Sequence, residues 1–142
     1  MRGKAQNVVY LTGWIIDHQW SVERLSDKLS GFVLHCIVRT DREFFGGHHE
    51  VLILNDLGMN INACLHVFEN ERDRPDDIES VPFNELGEHF LEVSVTGWLR
   101  GNDVIATEVR CLNVTAEQRH EAREMLKAMK AAGALQPAPR MA

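Results

Sequence analysis

Long apolar runs are missing from this chain. No stretch approaches the roughly 20 residues that a membrane-spanning helix needs. The basic start MRGKAQN is followed by none of the apolar core of a secretory leader. The expectation is a cytoplasmic protein with no membrane contact. Cysteine is scarce and odd in number: Cys36, Cys64 and Cys111 lie far apart, which argues against a disulfide framework and a zinc knuckle. Each sits among apolar residues and reads as a small buried hydrophobe. Basic residues are in deficit, 15 Lys and Arg against 21 Asp and Glu, for a net charge of −6. Phosphate neutralisation supplies most nonspecific nucleic-acid affinity, so this balance argues against an indiscriminate polyanion binder. The acid is concentrated in residues 69–79, with six acidic residues against Arg72 and Arg74. That run reads as a solvated loop closed by Pro75 and Pro82. Neither a Gly-rich phosphate loop nor a Ser/His/Asp set stands out. His48, His49 and Glu50 are consecutive, and neighbours in a strand point to opposite faces, so they do not chelate together. The expectation is no catalysis, no cofactor and no metal. Asn113-Val-Thr matches a glycosylation sequon, but without secretion it is a chance match.

What is present is a chain of 142 residues, 44% hydrophobic, enough for one domain with a real core. Residues 7–16 read as a strand, and 17–30 as a polar loop or one helical turn. Residues 31–41 read as a strand with Phe32, Leu34, Cys36 and Val38 on one face, and Val33, His35, Ile37 and Arg39 on the other. Gly46-Gly47 signals a hairpin, and residues 50–56 form the returning strand. Residues 57–68 are ambiguous, with a short strand expected over 63–68. A helical turn is expected in 83–90, a strand at 91–100, a turn at 100–103 and a strand at 104–112. Thr115 and Gln118 make a capping-box pattern. It opens a helix with Ala122, Met125, Leu126 and Met129 at helical spacing. Gly133 suits its C-terminal cap and Pro137 forbids continuation. The division is then a body over 1–114, a helix over 115–133 and a disordered tail over 134–142. The helix needs a partner for its apolar stripe, either its own sheet or another subunit.

One triplet recurs: Thr12-Gly13-Trp14 and Thr96-Gly97-Trp98, each ending an apolar run. Alternation puts Leu91, Val93, Val95, Gly97 and Leu99 on a core face. Glu92, Ser94, Thr96 and Trp98 fall on a polar one. A tryptophan among Ser, Thr and Arg marks a contact site, provided no bulge reverses the alternation before it. The earlier strand is apolar on both sides, so Trp14 reads as packed. Glycine inside a strand marks a bend or close backbone approach, and two such points suggest a sheet coiled into a small barrel.

About five strands with a glycine-bent first strand suggest an all-β, five-stranded OB-fold barrel with a long β-hairpin and a C-terminal α-helix. NVVYLTGWI (residues 7–15) and VSVTGWLRGNDVIATEVRCLNV (residues 93–114) resemble the opening strand and closing hairpin of bacterial single-stranded DNA-binding proteins. The resemblance covers about 30 residues well, residues 31–55 in outline only, and residues 56–90 poorly. It implies a non-catalytic protein of DNA replication and repair that binds single-stranded DNA, or RNA, and assembles as a dimer or tetramer. Stacking would fall to Trp98, to Phe44 and Phe45 on the hairpin tip and to Trp20. Phosphate contact would fall to Arg39, Arg42 and Arg100, with Lys4 and Lys28 as further cations. The chain departs from the family in its acidity, and in ending on a helix and QPAPRMA where the family carries a flexible linker and acidic tip. The alternative is an OB-fold assembly module without nucleic acid, with a protein partner through the C-terminal helix.

Overall fold

In the computed structural model, residues 7–24, 30–40, 47–72, 75 and 80–133 are described. Five strands are present among them: β1 (Val9–Arg24), β2 (Ser30–Thr40), β3 (Gly47–Leu54), β4 (Leu91–Arg100) and β5 (Asp103–Cys111). They pair in the order β1-β2-β3-β5-β4, and β1 pairs again with β4, so the sheet closes into a barrel. All ladders are antiparallel except β3–β5. A parallel contact needs a crossover. Here the crossover holds α1 (Asn55–Asn70), a 3-10 turn (Phe83–Glu85), α2 (Leu86–His89) and then β4 itself, before α3 (Ala116–Ala131) ends the described chain. Five strands, a closed sheet and a C-terminal helix are as expected from the sequence.

β1 makes closure possible, because it serves two neighbours. Its first half pairs with β4 from Val9 to Ile15, and its second half pairs with β2 from Trp14 to Arg24. The hand-over is a bulge: Ile15 opposes Val38 and Asp17 opposes Ile37, which leaves Ile16 as the extra residue. A bulge reverses the alternation beyond it and bends the strand. Residues 17–24 therefore continue β1, correcting the expectation of a loop or helical turn there. Their polarity fits a stretch that has left β4, pairs with β2 alone among the described strands, and is exposed along much of its length.

The recurring triplets lie on adjacent antiparallel strands, near opposite ends of their shared ladder. A Cβ at Gly13 would stand 2.3 Å from the Arg39 carbonyl oxygen, on β2. One at Gly97 would stand 2.2 Å from that of Ile105, on β5. Each glycine admits the next strand at backbone contact on one side of the β1–β4 pair. The tryptophans that follow differ in cover. Trp14 is buried with Ile16 under Val81, Leu86 and Phe90, as its two-sided apolar strand implies. Trp98 is 40% exposed.

The barrel core holds Phe32, Leu34, Cys36, Val38, Val51, Ile53, Val93 and Val95, and it continues into Ile61, Leu65 and Phe68 of α1 and Ala122 and Leu126 of α3. Residues 57–68 are thus helical, which overturns the short strand expected over 63–68. The error has a physical source. Gly58, Ile61, Leu65 and Phe68 are buried at one helical spacing, while Ala63 and Val67 are buried at another. Two stripes on one helix superpose into the apparent alternation Ile61, Ala63, Leu65, Val67. β3 passes into α1 with no loop, because Asn55 adopts the left-handed conformation (φ 54) that asparagine tolerates. α3 then packs antiparallel on α1: Gln118 Nε2 donates to Glu71 Oε2 at 2.7 Å near one end, and Lys130 pairs with Asp56 at 3.6 Å near the other. The capping box at Thr115 and Gln118 is formed. The apolar stripe of α3 is therefore satisfied within the same chain.

Gly97→Ala should destabilise the fold by about 1–3 kcal/mol, the range for forced overpacking. Gly87→Ala, whose added Cβ would meet nothing closer than 3.8 Å, should leave stability unchanged or slightly raised. Urea unfolding of both variants checks the contrast.

Candidate nucleic-acid interface

Register decides which side chains share the outer face of the barrel. Across β1, β2, β3, β5 and β4, Gln19 pairs with His35, His35 with Leu52, Leu52 with Ile105 and Ile105 with Trp98. Two residues along, Asp17 pairs with Ile37 and Ile37 with Glu50. Arg100 pairs with Asp103 at the β4–β5 turn. Trp98 keeps its outward place because β4 stays regular up to it. The irregularity in the β4–β5 ladder takes its extra residue from β5: Thr96 opposes Glu108 and Gly97 opposes Ala106, leaving Thr107 over. Thr107 Oγ1 donates to the Thr96 carbonyl at 3.1 Å across that gap.

Two adjoining clefts lie on this face. One, of about 350 Å³, is floored by Val33, Leu52, Leu54 and Ile105, with Trp98, Arg100, Arg24 and Glu23 around it. The other, of about 400 Å³, is lined by Asp17, Gln19, Ile37 and Glu50 among others. His35, Leu52 and Asp103 belong to both. The more apolar floor lies on the β2–β3 part of this face.

At the β1–β2 edge of the cleft, Ser21 Oγ donates to Glu23 Oε2 at 2.5 Å, and His35 Nε2 bonds the same oxygen. These hold the Glu23 carboxyl below its ordinary value of 4.5, with the Ser21 hydrogen bond the larger cause and His35 next. The face as a whole is acidic: Asp17, Glu23, Glu50 and Asp103 stand against Arg24 and Arg100. It offers one exposed indole, an apolar floor and carboxylate acceptors, which suits a flat group carrying hydrogen-bond donors.

The site residues expected from the sequence divide sharply. Trp98 and Arg100 share the cleft. Arg39 lies on the same outer face, opposite Trp14 and His48. Its Nη1 is buried with no hydrogen-bond partner among the described residues. Trp20 is 42% exposed but falls on the other face, opposite Leu34, because the Ile16 bulge reverses the alternation. There it stacks on Phe32, ring centroids 5.3 Å apart and planes within 16°. Trp20 is therefore not brought to Trp98. Arg42, Phe44, Phe45, Lys4 and Lys28 lie outside the described residues. Sequence reading placed His35 outward but missed its partners Ser21 and Glu23, which were hidden in the stretch taken for a loop. Among the described residues, no three His, Cys, Asp or Glu side chains are arranged to hold a metal ion. No described helix is long and apolar enough to cross a membrane.

A second outward surface carries Tyr10, Ser94, Thr96, Glu108 and Arg110. Tyr10 is 66% exposed, and its hydroxyl accepts from Ser94 Oγ at 2.8 Å. This surface has an aromatic ring but a cleft of only about 260 Å³.

No protein-family model matches the chain, and no curated protein does. Among solved structures, an SSB domain from Synechococcus sp. is 15% identical to it. That comparison covers 77% of this chain and 99% of the other, with a TM-score of 0.45.

Glu23 titrates below the ordinary carboxylate range, so its bonds add stability above that range, and the contribution is lost as pH falls through the depressed midpoint. Ser21→Ala should move the Glu23 midpoint up toward the ordinary value, read by NMR of the labelled side-chain carboxyl. An unmoved midpoint would remove Ser21 as the main cause.

Proposed function

We propose that this protein binds single-stranded DNA along the outer β2–β3 face, with no catalytic step. Trp98 stacks a base over the floor of Leu52 and Ile105, and Arg100 and Arg24 meet phosphates at the rim. The observation that carries the reading is the placement of Trp98: an exposed indole at the mouth of a cleft with arginines beside it. Stacking contributes about 1–3 kcal/mol per base and tolerates any sequence.

The carboxylates shape the affinity. With few cations engaged, each phosphate contact contributes about −0.7 to the slope of log K against log salt on a single strand. The slope should therefore be shallow. Asp103 and Glu50 are acceptors, and they favour a base edge that donates. Cytosine presents an N4 amino group where thymine presents the acceptor O4.

The same acidity supports a second reading, an OB-type assembly module whose partner is a cationic protein segment. The C-terminal helix no longer supports it, because α3 spends its apolar stripe on α1.

Titration with oligo-dC and oligo-dT of about 30 nucleotides should quench tryptophan fluorescence, with dC bound more tightly and both weakened by salt. Trp98→Ala should weaken binding by the equivalent of one stacked base, about 5- to 150-fold. Absence of quenching at low salt and micromolar protein would transfer the assignment to the assembly module.

A further inference from the structure

His35 stands at the junction of the two clefts, since its side chain lines both. Its neighbour in the cross-strand row is Leu52, and Trp98 closes the same row from β4. Three strand spacings separate His35 from Trp98, about 14 Å along the sheet. The apolar floor of Leu52 and Ile105 fills the interval. The ring is open to a ligand, with 43% of the His35 side chain exposed.

The orientation of that ring is fixed from the β1 side. Ser21 Oγ donates to Glu23 Oε2, and His35 Nε2 meets the same oxygen. These contacts favour the ionised carboxyl of Glu23, which has no proton to give. The hydrogen in the His35 contact therefore belongs to Nε2. In a neutral imidazole one nitrogen donates and the other accepts, and the bond made by one sets the state of the other. Nδ1 is then the acceptor, and it bonds nothing among the described residues. A half-turn of the ring would put carbons where the nitrogens stand and break the contact with Glu23. Glu23 thus selects both the tautomer and the ring orientation, and Ser21 holds Glu23 in place.

We propose that His35 reads bases: its Nδ1 accepts a hydrogen bond from the exocyclic amino group of the base lying over Leu52, and so selects amino bases over keto bases. The inference rests on the reading that this face binds single-stranded DNA, and it names what that site prefers. Cytosine N4 and adenine N6 are amino donors, where thymine O4 and guanine O6 are acceptors. An acceptor set against Nδ1 leaves both groups unsatisfied. Asp103 and Glu50 favour the same bases, but a carboxylate accepts over a wide arc, whereas Nδ1 accepts along one direction in the ring plane. Ser21 and Glu23 are positioning residues, because they act on the base only through His35.

The test follows tryptophan quenching by oligo-dC and oligo-dT of about 30 nucleotides. It is run at about pH 8.5, on the alkaline side of the window in which histidine changes charge. His35→Phe keeps a flat ring and removes the acceptor. It should lower the dC-over-dT affinity ratio by about 2- to 13-fold, the range of one neutral hydrogen bond, and leave dT binding unchanged. Glu23→Ala keeps Nδ1 but releases the ring, and it should lower the same ratio. Loss of the Glu23 charge alone would not move that ratio, since charge acts on dC and dT alike. A measurement that needs neither variant nor DNA is long-range nitrogen–proton NMR of the imidazoles, in which the neutral His35 ring should carry its proton on Nε2. A proton on Nδ1, or a dC-over-dT ratio unchanged in His35→Phe, would overturn the proposal while the binding reading stands. Absence of quenching in the unaltered protein would overturn the binding reading and this inference with it.

Discussion

Backbone contact at two glycines is the constraint on which the rest depends. A closed sheet of five strands must bend sharply, and bending brings neighbouring carbonyls within reach of any side chain at the corner. Gly13 and Gly97 lie where a Cβ would overlap the carbonyls of Arg39 and Ile105. With no side chain there, β1 and β4 approach their outer neighbours and the ring closes. Closure fixes the inner face as core. It also sets His35, Leu52, Ile105 and Trp98 in a row on the outer face, across four strands. A sheet opened at either corner would lose that row before it lost its individual strands.

The outer surface is not uniform. The segment through Val81, Leu86 and Phe90 covers Trp14, and nothing comparable among the described residues covers Trp98, although both follow the same Thr-Gly pair. The difference lies in the neighbours. Trp14 stands beside the Ile16 bulge, where apolar side chains on both sides of β1 invite a second cluster. Trp98 stands near a short turn with Arg100 and Asp103, where polar residues keep the ring at the surface. The cleft beside it is acidic as well as aromatic. That combination favours selective, modest binding over the indiscriminate grip of a basic groove.

Much of the fold was legible from local pattern. The alternation Phe32, Leu34, Cys36, Val38 marked β2, and Leu91, Val93, Val95 marked β4. Thr115 and Gln118 marked the start of α3. What escaped was set by tertiary contact. Residues of α1 are buried on two sides, so the helical period was masked by a false alternation. The second half of β1 is polar where it has left β4 and pairs with β2 alone among the described strands, and polarity alone does not separate an exposed edge arm from a loop. The Ile16 bulge moved Trp20 to the face opposite the cleft, which no count of residues along one strand reveals. The Ser21–Glu23–His35 contact followed the same arm and was hidden with it.

The most direct test of the central claim is a map of amide and indole NMR shifts on adding a short single-stranded DNA. The account predicts that the largest changes fall on the Trp98 indole, His35, Leu52 and Arg100, and fade toward Tyr10 and Ser94. Changes confined to the Tyr10, Ser94 and Thr96 surface, or none at saturating strand, would contradict it.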